Sequence, residues 1–126
     1  NEFTQLVPIV PGVLVTYRSV SKEEDMRMRS MIFDMTVQDS RVEIHSDDLY
    51  GVMLIVATVA QINTKQWPRH MVGTSWDAEF DPKLFQEKLR QFMRMPMPLL
   101  HALGVHGGWF DVRVRRLFTA TSLKNG

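Results

Sequence analysis

A strand-like run that feeds directly into a capped helix is the feature that most constrains how this chain can fold. Val13, Val15 and Tyr17 alternate with Leu14, Thr16 and Arg18 before Ser19-Val20, the period of a half-buried strand. Ser21 follows at once, and Glu24 stands three residues on, which is the spacing of a capping box. Glu23, Glu24 and Asp25 then occupy the first helical turn, where acidic groups meet the positive end of the helix dipole. A strand joined to a helix without a linker is an architectural signal and names no reaction. One strand makes no sheet, so this one must pair with the segment from Leu6 to Val10 or with another subunit.

The chain has 126 residues, enough for one domain with its own core. A hydrophobic share of 44% against 23% charged argues for a folded globule rather than disorder. The net charge of +1 gives no global pull toward nucleic acid or membrane. The absence of cysteine excludes a disulfide framework and thiolate metal sites. Val52 to Ala60 is the longest apolar stretch, short of the ~20 residues that span a bilayer. Asn1 to Gln5 shows no basic region leading into an apolar one, so no signal peptide is expected.

These observations give a fold class of mainly α: a small helical domain with a minor N-terminal β element, strand or hairpin. Residues 1–12, with Pro8, Pro11 and Gly12, read as an extended arm. Residues 13–120 read as a single α-rich domain and 121–126 as a fraying polar tail. Helix one is expected from Lys22 to Met35, with Met28, Met31, Ile32 and Met35 as its apolar stripe. Thr36 to His45 reads as a loop with a short strand at Arg41 to Ile44. Ser46 is the expected cap of a second helix to Ile62, the most buried element, with a buried strand as the competing reading of its β-branched body. Asn63 to Glu79 is a long connection. Asp81-Pro82 starts helix three, which runs to Met95 and ends at Pro96. A short helix follows from Pro98 to Leu103, Gly104 stops it, and Gly107-Gly108 reads as a flexible join. Trp109 to Ala120 is ambiguous, with helix preferred over strand.

Chemistry is weakly represented. His101 and His106 are five apart with a glycine between them, which suits no helical metal site, and His45 and His70 lie far off in sequence. Asp77, Glu79 and Asp81 precede a helix at alternate positions, and capping explains them better than paired-carboxylate catalysis. Arg113, Arg115 and Arg116, near Trp109 and Phe110, could grip phosphate and stack a base, but the neutral chain disfavours nucleic acid. Phosphate-cradling loops and Gly-x-Ser-x-Gly motifs are missing. The expectation is a protein without catalytic, cofactor-binding or metal residues.

Contacts with other proteins are the better-supported class. Nine methionines can fill a core or supply an adaptable surface, and Met26, Met95 and Met97 fall off the core stripes. The apolar arm needs a surface to cover. Expected interface residues are therefore Phe3, Leu6, Ile9, Val15, Tyr17, Met26, Met95, Met97, Arg113, Arg115 and Arg116.

The order of elements adds a resemblance. Val15-Thr16-Tyr17-Arg18 followed by the Glu23-Glu24 pair resembles the start of small tail and baseplate-hub assembly proteins of tailed bacteriophages. Val59-Ala60-Gln61-Ile62-Asn63, a variable turn, Phe80-Asp81, a helix with Leu89 and Phe92, a Met/Pro break, and a last helix with Phe110 and Arg113 are similar to the later half of phage tail-assembly chaperones. The likeness spans about residues 13 to 118; the Met-Pro-Met-Pro break and Gly107-Gly108 depart from it. It implies a non-catalytic tail or baseplate assembly protein and carries over no active-site residues. Its partners would be phage structural proteins or copies of itself, in the host cytoplasm during assembly or in the virion, with no membrane. A helical module or regulator binding one protein partner is the alternative.

Overall fold

A computed structural model describes the backbone of residues 4–74 and 76–125, with side chains through residue 119. Its N-terminal third is a hairpin followed by the capped helix. Strand β1 (Thr4–Val10) and strand β2 (Val13–Arg18) pair antiparallel through a turn at Pro11-Gly12, with Gly12 at φ 82°. The arm expected in residues 1–12 is thus a strand over its described part. Helix α1 (Lys22–Gln38) starts on the full capping box: Ser21 Oγ accepts from the Glu24 amide at 3.1 Å, and Glu24 reaches back to the Ser21 amide. It runs one turn past Met35, and a 3₁₀ helix (Ser40–His45) replaces the expected loop and short strand.

The apolar run after Ser46 divides. Helix α2 (Ser46–Thr58) takes its first part and strand β3 (Val59–Ile62) the rest, so both readings of that segment hold in turn. Ser46 is the first helical residue and not the cap; His45 precedes it without a side-chain capping bond. The helix gives way where β2 offers a second edge: β3 pairs antiparallel with β2, and β-branched Val59 and Ile62 suit a strand. A tight turn, with Asn63 at φ 51°, leads into strand β4 (Lys65–Gln66). The sheet order is β1-β2-β3-β4, so β2 is central and its backbone is already paired.

The β1 edge is protected. Leu14 exchanges both backbone bonds with Asn63, donating to the side-chain oxygen at 2.9 Å and accepting at 2.8 Å. Its backbone therefore points toward β3, and its cross-strand partner Pro8 points its own backbone at the open edge. Proline has no N–H to offer a further strand, the usual position for it on an edge.

Within the expected connection, strand β5 (Met71–Val72) and strand β6 (Glu79–Phe80) form a second small sheet. Gly73 is required there: φ is 123°, and a Cβ would stand 3.1 Å from the Asp77 carbonyl oxygen. Helix α3 (Pro82–Met93) begins as expected, with Asp81 accepting from the Lys83 and Leu84 amides at 3.0 and 3.1 Å.

Helix α4 (Met97–Asn125) is continuous through Gly104, Gly107 and Gly108, which neither stop it nor hinge it. Two of these glycines permit close packing. A Cβ on Gly104 would meet Ile55 at 3.1 Å, and one on Gly107 would meet the Tyr17 ring at 3.2 Å. The core lies between the sheet and the helices: Val15 and Tyr17 from β2, Met28 from α1, Met53, Val56 and Ala57 from α2, Phe85, Leu89 and Phe92 from α3, and Leu103, Phe110 and Val114 from α4. The class is mainly α with a larger β part than expected.

Candidate functional site

Two helices carry apolar side chains on both faces. At about 100° per residue, Met28, Met31, Ile32 and Met35 share one face of α1 and are buried or half-buried against the core. On the opposite face Met26 (60% exposed), Phe33 (66%) and Val37 (71%) stand in solvent. In α4, Leu103, Phe110 and Val114 face the core, while Val105, Trp109 (55%) and Val112 are exposed on the far side. Burial elsewhere cannot account for these residues. Beyond Val114 the core ends but α4 runs on, so Leu117 and Phe118 are exposed although they lie on the side that packs further up the helix.

A groove of ≈ 1760 Å³ lies between α4, the first turn of α1 and one side of α2 along its length. Ile55, Leu100, Leu103 and Phe110 line it, and Trp76 at its margin is 96% exposed. Asp25 at one end is tied down: Tyr50 donates to it, Arg29 Nε donates at 3.0 Å, and Lys22 lies at 3.6 Å. The Tyr50 bond first, with the Arg29 and Lys22 charges, holds its carboxyl below the usual range.

Four charged or titratable side chains are buried together beneath this surface. Arg18 on β2 donates from Nε to the Ala57 carbonyl at 3.1 Å, and its Nη2 lies 2.9 Å from His70 Nδ1. Glu24 on α1 is 3.9 Å from the same His70 nitrogen. Lys88 on α3 donates to the Val59 carbonyl and lies over the Trp67 and Phe92 rings. Burial, reinforced by Arg18, pulls the Lys88 amine down to about 6. Burial likewise lowers His70; neighbouring Glu24 opposes this, and the Lys88 and Arg18 charges add to it. Burial alone would raise the Glu24 carboxyl, but nearby His70, Arg18 and the Ser21 cap outweigh it and keep it low. The cluster pins β2, α1, α3 and the loop before β5 to one another. A ≈ 150 Å³ pocket lined by Trp67, His70, Lys88 and Gln91 adjoins it, closed on one side by Trp67, which donates to Gln91 at 2.9 Å. Both His70 and Lys88 are almost fully buried, which suits clamping the fold more than turning over a substrate.

No family model matches the chain, and no curated protein or solved structure matches it.

Of the expected interface residues, Leu6, Met26, Met97 and Arg116 are exposed. Ile9 and Met95 are half-buried against the core. Val15 and Tyr17 are corrections: both are fully buried on the inner face of β2, where Tyr17 donates to the Leu103 carbonyl at 2.8 Å, so neither is surface. Phe3 lies outside the described residues. Arg113 donates to Gln5 at 2.8 Å and Arg115 pairs with Asp111 at 2.9 Å, so the arginine cluster is partly engaged within the chain. His101 and His106 lie on α4, and among the described residues no three His, Asp or Glu side chains gather where they could share a metal. No helix of the described residues is long and apolar enough to cross a membrane. Sequence reasoning missed Phe33, Val37, Val105, Trp109 and Val112. Their signal was the spacing from Met26 to Val37 and from Val105 to Val112; the second was hidden by reading the glycines as breaks.

Proposed function

We propose that this chain is a non-catalytic assembly or structural protein of a phage tail or baseplate, acting through protein–protein contacts. The carrying observation is the second apolar face on α4: Val105, Trp109 and Val112 are exposed along a helix whose other face is already used by the core. Aromatic and aliphatic side chains ordered on a rigid helix are what a partner helix needs, and they are costly to leave in water. The tail or baseplate assignment rests on the order of elements: the strand, the acid-capped helix, the Phe80-Asp81 helix start and the last helix with Phe110 and Arg113. A nucleic-acid role is less well supported, because Arg113 and Arg115 already have partners within the chain.

The test is assembly in infected cells. A tagged chain should co-purify with tail or baseplate proteins of the phage that encodes it, and deleting the gene should stop tail formation as seen by electron microscopy. Normal tails from the deletion phage would overturn this reading.

A further inference from the structure

The ≈ 150 Å³ pocket beside the buried cluster has more hydrogen-bond donors than acceptors. His70 and Lys88 are its buried lining, Trp67 and Leu84 are half-buried, and Lys65 and Glu87 are exposed at its mouth. Arg18 donates to His70 Nδ1 at 2.9 Å, so the ring hydrogen sits on Nε2. That nitrogen is buried and has no hydrogen-bond partner among the described residues. It is on the far side of the ring from Arg18 and Glu24, neither of which lines the pocket. Lys88 Nζ can donate three times and has one acceptor among the described residues, the Val59 carbonyl. The Gln91 side-chain oxygen already accepts from Trp67 at 2.9 Å. A buried donor without an acceptor is costly, and two groups here share that need.

We infer that this pocket binds a small carboxylate, one oxygen accepting from His70 Nε2–H and the other from Lys88 Nζ. Charge selects an anion over a neutral acceptor. Among the described residues the buried cluster holds two basic side chains, Arg18 and Lys88, and one carboxylate, Glu24. A bound anion supplies the missing negative charge where water screens least. Lys65 and Glu87 offset each other at the mouth and leave the buried excess to decide. Size and lining select the class. At about 30 Å³ per water, the volume suits a ligand of about four to six non-hydrogen atoms. Leu84 and the Trp67 ring offer apolar surface to a short alkyl chain, which points to acetate through butyrate rather than an inorganic ion. Without an anion, burial and Arg18 hold the Lys88 amine at about 6, with Glu24 opposing, so above that value binding takes up a proton. The charged and titratable groups around this amine are Arg18 on β2, Glu24 on α1, His70 before β5, Lys65 on β4 and Glu87 on its own helix. Binding at this pocket is independent of what the outer helix faces contact.

The experiment titrates the full chain with sodium acetate, propionate and butyrate, and with sodium chloride and sodium phosphate at equal ionic strength. NMR follows the indole N–H signals, that of Trp67 being the one lost in Trp67→Phe. With a carboxylate the Trp67 signal should move and saturate, with a midpoint on the order of 1 mM, within reach of so small a ligand. The signals of exposed Trp76 and Trp109 should stay in place. The midpoint should rise with pH between about 6.5 and 8.5, by up to about tenfold per unit, as Lys88 must gain a proton to bind. Lys88→Met should abolish the shift. Because that variant alters a buried group, Leu84→Phe is the second: it narrows the pocket from a half-buried position, leaves the cluster intact and should weaken binding about tenfold or more. No saturable shift with any carboxylate would mean that the pocket holds water only and overturns the inference. Chloride or phosphate moving the signal as strongly overturns it too. So does an affinity unchanged by pH, or one that Leu84→Phe leaves at the parent's value.

Discussion

Arg18 Nη2 and His70 Nδ1 lie 2.9 Å apart in the core, and this fixes the state of the histidine. A guanidinium can only donate, so Nδ1 must accept and cannot carry a proton. The ring is then neutral with its hydrogen on Nε2, an atom that has no hydrogen-bond partner among the described residues. Charging the ring would break the contact and set it against Arg18 and Lys88. The neutral imidazole is thus part of how Arg18 is held in the interior.

This arrangement makes the fold acid-sensitive. Lys88 falls from 10.5 to about 6 on folding, so between those values the unfolded chain binds more protons and stability rises with pH. His70 falls below 6.5, which adds to the loss as pH drops through its range. Glu24 falls below 4.5, so its contribution is present above that value and lost as pH falls through its lowered one. All three act in one direction. Urea unfolding across pH 5 to 9 should show stability increasing with pH, and Lys88→Met should flatten that dependence above about pH 6. An unchanged slope in the variant would mean Lys88 stays charged when buried.

The glycines of α4 should respond differently to the same substitution. A Cβ on Gly108 meets nothing within 4 Å, so Gly108→Ala should gain about 0.5–1 kcal/mol from helix propensity. A Cβ on Gly107 comes within 3.2 Å of the Tyr17 ring, which is fully buried and hydrogen-bonded. Gly107→Ala should therefore lower the melting temperature while Gly108→Ala raises it. The reverse order would show that α4 stands further from β2 than the structure has it.

Val56 is fully buried in the last turn of α2. An unpaired carboxylate there costs several kcal/mol, a large part of the ~5–15 kcal/mol that holds a domain together. Val56→Asp should leave no cooperative thermal transition at neutral pH. A variant that melts like the parent would contradict the burial of α2.

Pro8 should act as an edge block. Pro8→Val gives the outer side of β1 the N–H it lacks, beside exposed Leu6 and Val10. The variant should keep its fold and form strand-mediated aggregates faster on agitation, measured by light scattering. Equal rates would mean the edge is closed by something other than Pro8.

Local chemistry by itself determined the starts of α1 and α3 and the inner face of α1. Ser21 with Glu24, Asp81 with Pro82, the stripe from Met28 to Met35 and the alternation of Val13 to Arg18 act within a few residues and are visible in the chain alone. Tertiary structure decided the rest. The run from Val52 to Ile62 satisfies either a helix or a strand, and it changes at Val59 because β2 leaves one edge unpaired there. Gly104 and Gly107 read as breaks until Ile55 and Tyr17 are seen pressed against them. Tyr17 and Trp109 have similar aromatic character in sequence, yet the first is core and the second surface, because only packing settles which side of an element finds a partner. Arg18, Glu24, His70 and Lys88 come from four separate segments, and nothing in their spacing foretells that they share one buried site. Backbone preference has a range of one or two turns; burial is set by contacts between residues far apart in the chain.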